Sequence, residues 1–214
     1  ERHMAYRILR AAKNRFGATN EIGVFEMEDG GLAEVPNPSE SPLAGRPEDA
    51  PGTCVTCVME GVRPVLAEIQ ALVVPSSFGN PRRVSNGVEY NRAMLLLAVL
   101  EKRGGLLLGN CDAYLNVIGG LSLDEPAADL AAMLALASSF RDKPVPSDLA
   151  AIGEVGLTGE LRAVSNLGQR LSEVRRLGFT KCLIPKRIQG KLAAPEGLEL
   201  IRVANIREAL AALL

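Results

Sequence analysis

The stretch Gly119-Gly120-Leu121-Ser122-Leu123-Asp124-Glu125-Pro126, continuing through Ala127-Ala128-Asp129-Leu130 to Ser139, constrains the fold of this chain most. It reads as strand, glycine-rich turn, then helix. Asp124 and Glu125 stand where carboxylates meet the positive end of a helix dipole and its free N–H groups. Pro126 suits the first turn, where its missing N–H costs nothing. Leu130, Met133, Leu134 and Ala137 recur at i, i+3, i+4 and i+7, the spacing of a helix buried on one face. A helix N-terminus behind a glycine-rich turn is a common seat for a nucleophile or an anion. The residue in that seat is Ala127, whose methyl group can do no chemistry.

Around this stretch, 214 residues suffice for one large or two small domains. With aromatics at 4% and no Trp, the core must be aliphatic. No apolar run reaches the roughly 18 residues of a membrane span. The charged opening Glu1-Arg2-His3-Met4 lacks the apolar region of a signal peptide. These features predict a cytoplasmic protein without a membrane partner, and the start at Glu1 suggests a piece of a longer chain or an expression scar. The net charge of −1 favours no nucleic-acid partner by itself, but the distribution is uneven. Residues 19–69 hold ten acidic side chains against Arg46 and Arg63, whereas residues 162–202 hold nine basic against three acidic. That basic half either faces a polyanion or is a solvated face. Cys54-Val-Thr-Cys57 has no second pair and no neighbouring histidine. Residues three apart on an extended segment point to opposite faces, so reduced thiols are expected there and at Cys111 and Cys182, with no metal.

Taken in order, residues 5–13 are predicted helical, 21–27 a strand and 32–35 a second strand. Five prolines between 36 and 51 mark a linker. Val55–Met59 reads as a strand. Val65–Val74 reads as a half-buried strand, with Glu68 and Gln70 on its open face. Residues 75–87 form a polar loop, 89–103 a helix buried all round, and 106–108 and 113–118 strands. Strands near 149–155, 181–184 and 198–203 then alternate with helices near 166–177 and 206–213. The whole is mixed α/β (α+β). The division is 1–36, a Pro-rich loop or linker at 37–53, and a larger domain at 54–214.

The absences are firm. His3 is the only histidine, so a Ser-His-Asp or Cys-His site has no base. No G-x-x-x-x-G-K-[ST] phosphate loop occurs. A Ser–Lys pair needs no histidine, and Ser122 with six lysines leaves that option formally open.

From Asp112 to Leu214 the order of elements resembles the proteolytic domain of Lon proteases, the ribosomal protein S5 domain 2-like fold. The segments carrying the likeness are Asp124-Glu125-Pro126-Ala127-Ala128 and Gly153-Glu154-Val155-Gly156-Leu157-Thr158-Gly159. The resemblance puts the Lon serine at Ala127 and the Lon lysine at Arg170. Arginine stays protonated and cannot act as a base, so the resemblance implies the fold while the residues deny the reaction. Upstream, Lys13-Asn14-Arg15-Phe16-Gly17, the segment 21–27, Asn37-Pro38-Ser39 and the segment 68–73 are similar to the bacterial RadA (Sms) DNA-repair family. That resemblance makes residues 1–36 the end of a RecA-like ATPase domain and 54–214 a catalytically degenerate Lon-like domain. It implies ATP and Mg in the longer protein and Zn in an N-terminal motif absent from this chain.

The resemblance further implies a hexameric ring of a DNA helicase that acts on single-stranded and branched DNA in recombinational repair, alongside the recombinase RecA. Lys13 and Arg15, separated by one residue, would project to one side of an extended segment. There they would contact a neighbouring subunit's nucleotide, with the arginine as a finger. Arg82, Arg83, Arg175, Arg176, Lys181, Lys186 and Arg187 are the DNA-binding candidates. An active Lon-type serine protease and an oligomerisation module without DNA contact are the alternatives.

Overall fold

The computed structural model describes residues 7–10, 15, 22–28, 30–35, 43, 45–77, 79–188 and 190–214. Three strands near the start, β1 (Arg7–Arg10), β2 (Ile22–Glu28) and β3 (Gly31–Glu34), form an antiparallel sheet in that order. The helix expected over 5–13 is therefore a strand at 7–10, with Arg7 opposite Phe25. A helix that short does not sustain itself without packing, whereas the outer edge of β2 offers backbone groups that need partners.

The larger body is a seven-stranded sheet in the order β12-β11-β8-β4-β5-β7-β6. Its strands are β4 (Thr53–Glu60), β5 (Arg63–Pro75), β6 (Arg83–Asn86), β7 (Cys111–Val117), β8 (Leu149–Ala151), β11 (Lys181–Pro185) and β12 (Glu199–Val203). β4, β8, β11 and β12 run parallel, and β5 is antiparallel to both β4 and β7. A small hairpin of β9 (Glu154–Val155) and β10 (Leu161–Arg162) stands apart. Helices α1 (Tyr90–Val99), α2 (Asp129–Arg141) and α4 (Ile206–Leu213) pack on one face of the large sheet, while α3 (Leu167–Arg176) contributes to a second cluster on the other.

Two-sided cover changes several expectations. β5 is not half-buried along its length. Val65, Ala67 and Ile69 enter one cluster and Leu66 the other, and Glu68 is buried. The Glu68 carboxylate is met by the Thr53 hydroxyl at 2.7 Å and the Gln70 amide at 3.0 Å. α2 is buried all round rather than on one face, from Asp129 through Ser138. Its alanines let it lie close to the sheet while Leu130, Met133, Leu134 and Leu136 fill the gaps. Each such large apolar side chain is worth about 1.5–3 kcal/mol when fully buried. α1 is less enclosed than expected, with Leu95 42% exposed, and it closes in a π turn at Leu100–Gly104.

The polar loop expected at 75–87 contains the edge strand β6, parallel to β7. Its backbone pairs on one side only, so the apolar alternation that marks a central strand is not needed. Residues 106–108 are not a strand. Between 36 and 53, residues 36–42 and 44 lie outside the described set. Arg46 donates to the Ser147 carbonyl and sits 5.1 Å from the Phe179 ring centre, so the later part of the Pro-rich stretch docks on the larger body.

Candidate functional site

Ala127 and Arg170, the positions the resemblance gives to the Lon serine and lysine, lie where the turn before α2 meets α3 and β4. Ala127, 1% exposed, sits in a short 3-10 turn, Pro126–Ala128. Its carbonyl accepts from the Gly153 N–H at 3.0 Å, and the Gly153 carbonyl accepts from the Leu130 N–H at 3.1 Å. The turn is thereby clamped to the segment leading into β9.

Arg170 projects from α3 into the interior and is fully buried. Its Nε donates to the Ser165 carbonyl at 2.8 Å. Its Nη1 donates to the Cys57 carbonyl at 2.7 Å and to Glu125 Oε2 at 2.9 Å, and its Nη2 donates to Glu125 Oε1. Glu125 Oε2 also accepts from the Met59 N–H at 2.8 Å. An isolated buried guanidinium would cost several kcal/mol. The forked pairing with one carboxylate and two carbonyls offsets that cost and locks the cation in place. The sequence placed Glu125 at the helix N-terminus as a dipole partner. The structure turns it inward, because a fully buried guanidinium makes the stronger demand on a carboxylate.

Asp129 is instead the acid of the first helical turn. Its Oδ1 accepts from Arg92 Nε at 2.9 Å, its Oδ2 pairs with Arg92 Nη2, and Oδ2 accepts from the Val155 N–H at 3.0 Å. Burial pushes the Asp129 carboxyl above its ordinary value, against the opposing pull of Arg92 and that N–H. The sequence contained both residues, but nothing in their spacing of 37 positions joined them.

Cys54 and Cys57 enter opposite clusters, one on each face of the sheet, as their spacing implied. Burial pushes both thiols up to about 12. Among the described residues no group of three or more His, Cys, Asp or Glu side chains could hold a metal ion.

The basic candidates divide by what already holds them. Arg83 donates to the carbonyls of Leu108, at 2.9 Å, and Cys111, so it ties β6 to the loop before β7. Arg82 is exposed, and its backbone N–H donates to Asp112 at 2.7 Å. Arg175 donates to the Glu196 carbonyl at 3.0 Å. Arg176 pairs with Glu173 at 2.7 Å, and Lys181 with Asp148 at 3.2 Å. Lys186 and Arg187, at the end of β11, are exposed and make no ion pair among the described residues. Lys13 lies outside the described residues, and Arg15 is exposed.

Lys186 and Arg187 line a crevice of about 670 Å³ with Arg162 and Ile188. A second, polar pocket of about 270 Å³ is lined by Arg103, Thr158, Asn205 and Arg207. The two are separated by the bridge Glu160–Asn205 and by the Leu161 N–H bonded to the Ala204 carbonyl at 2.9 Å. Two acids stand at this border: Glu208 accepts from the Ala204 N–H at 2.8 Å, and hydrogen bonds from Thr158 and Arg162 hold the Glu160 carboxyl down at about 2. Arg103, Arg162 and Arg207 escaped sequence reasoning because only the tertiary fold brings positions 103, 162, 187 and 207 to one border.

Residues 112–214 match the Lon protease (S16) C-terminal proteolytic domain. Over 98% of its length the chain is 57% identical to DNA repair protein RadA of Bacillus subtilis and 56% identical to that of Listeria monocytogenes, covering 46% of each. It is 53% identical to DNA repair protein RadA of Streptococcus pneumoniae over the same share, covering 50% of that protein. The chain thus spans about half the length of the curated relatives it matches. No helix among the described residues is long and apolar enough to cross a membrane. With this likeness running through both the small sheet and the large one, the chain belongs to the RadA family and corresponds to its C-terminal part, built on a Lon-type domain.

Proposed function

We propose that this chain is the C-terminal scaffold and DNA-contacting part of an ATP-dependent DNA helicase in recombinational repair and branch migration, and that it has no protease activity. The observation that carries the reading is the likeness, along 98% of this chain, to about half of proteins named DNA repair protein RadA. Two features of the molecule support it. First, Ala127 offers no nucleophile, and Arg170, a guanidinium held by Glu125 and two carbonyls, offers no base. Second, the border formed by Arg103, Arg162, Lys186, Arg187 and Arg207 presents five cations around two adjoining pockets against the acids Glu160 and Glu208, which suits a phosphate backbone.

In the longer protein this part assembles in a hexameric ring. There Lys13 and Arg15 reach the nucleotide of a neighbouring subunit, with ATP and Mg held by a phosphate loop outside this chain. Titrating the isolated chain into labelled single-stranded and branched DNA at increasing salt tests the DNA contact. Binding that weakens steeply with salt is expected, and no binding at low salt rejects it. In the full-length protein, Lys13→Ala or Arg15→Ala is expected to abolish DNA-stimulated ATP hydrolysis while the ring stays assembled. Normal turnover in both variants would end that assignment. Unfolded casein should stay intact with the chain, with or without ATP.

A further inference from the structure

A third pocket lies on the opposite electrostatic footing. Between α1 and the start of α2 is a cavity of about 270 Å³ with an apolar floor of Val88, Leu96, Leu123, Ala128 and Ala132. Four carboxylates rim it: Glu89, Asp124, Glu125 and Asp129. Two of these are committed, Glu125 to Arg170 and Asp129 to Arg92. Glu89 and Asp124 are exposed and make no ion pair among the described residues. The N–H groups of Asn91 and Arg92 donate to Glu89 at 2.9 and 2.8 Å and favour its ionised form. The Ser122 hydroxyl donates to Asp124 at 2.9 Å.

Beside the pocket runs an open backbone edge. Leu123 pairs with Val88, and its N–H donates to the Gly87 carbonyl at 2.6 Å. Gly87 has φ +84°, and a Cβ there would meet the Leu121 carbonyl at 2.6 Å, so this approach requires glycine. In extended backbone the neighbouring residues turn their N–H and C=O groups the other way. Those of Ser122 and Asp124 therefore face outward, and they make no backbone hydrogen bond among the described residues. An unpaired edge of this kind is a template for a further strand.

We infer that this pocket docks an extended segment of a partner protein. The segment places one aliphatic side chain on the apolar floor and a neighbouring lysine or arginine against Glu89 and Asp124. Its main chain pairs with the Ser122–Asp124 edge. Charge complementarity selects this occupant: two carboxylates with hydrogen bonds but no ion pair among the described residues repel an acidic peptide or a nucleic-acid phosphate and attract a basic one. The recognition mode is strand addition, with main-chain bonds supplying affinity and the pocket supplying side-chain choice. The docking surface goes beyond the DNA contact and uses none of its residues.

The test is fluorescence anisotropy of a fluorescein-labelled peptide of alternating lysine and leucine, titrated with the whole chain. A peptide of alternating glutamate and leucine is the control. The lysine–leucine peptide should bind and the control should not. Asp124→Lys, at an exposed position, should weaken binding about tenfold. Ala132→Leu should abolish it by filling the floor, and Lys186→Ala should leave it unchanged. Equal binding of both peptides, no binding of the lysine–leucine peptide, or binding indifferent to Asp124→Lys would overturn the proposal. Asp124→Lys decides the matter even where Ala132→Leu disturbs packing.

Discussion

Arg170 on α3 and the Lys186–Arg187 pair just beyond β11 carry the same sign of charge, with opposite consequences. Arg170 is fully buried and bound by a carboxylate and two backbone carbonyls. Lys186 and Arg187 stand in solvent at the mouth of a crevice with no carboxylate bound to either among the described residues. The difference teaches that the acceptors around a cation decide its role more than its position in a motif. A cation held by buried acceptors is part of the core, and one with no carboxylate bound to it is available to an anionic ligand.

The largest expected effect breaks the buried half of this contrast. Arg170→Met should destabilise the chain by about 3–5 kcal/mol, because Glu125 and two carbonyls lose their partner. Arg170→Lys should cost about 1–3 kcal/mol, since an ammonium cannot reproduce the fork. Denaturant unfolding measures both, and a loss under about 1 kcal/mol in each would show that the pair is dispensable. Asp129→Asn comes next. It leaves the half-exposed Arg92 without its anion and should cost about 1–2 kcal/mol.

A smaller effect is the alkaline edge of stability. Burial pushes the Cys54 and Cys57 thiols up to about 12 in the folded chain, against about 8.5 when unfolded. Their contribution is fully present below pH about 8.5 and is lost as pH rises from there towards 12. The unfolding midpoint should therefore fall as pH rises from about 8.5 to about 10.5. Cys54→Ala/Cys57→Ala should flatten that fall, and an unchanged slope would contradict the burial argument. At neutral pH, Cys111 should react first with a thiol reagent, because the other three thiols are buried.

Much of this contrast was legible in the sequence, though unevenly. The strand-turn-helix around Ala127 was readable because glycine, proline and the apolar spacing act locally. The opposite faces of Cys54 and Cys57 followed from strand geometry. The inward turn of Glu125 was not readable, since it depends on a guanidinium 45 positions away. β6 was hidden because an edge strand can be polar. β1 was hidden because a short apolar run fits either a helix or a strand until a partner strand decides. For the basic border, residues 162–202 carried a visible excess of charge, but which cations were already paired depended on Glu173, Asp148 and two backbone carbonyls.

The most direct test of the account is the salt dependence of DNA affinity for Lys186→Ala/Arg187→Ala beside Arg175→Ala/Arg176→Ala. With single-stranded DNA, losing two phosphate contacts should flatten the slope of log K against log salt by about 1.4. Folding stability should stay within about 0.5 kcal/mol of the parent chain. The second double variant removes cations that are already engaged and should move the slope less. Equal slopes for the parent chain and Lys186→Ala/Arg187→Ala, or a larger change in the second variant, would contradict the claim that uncommitted cations make the DNA contact.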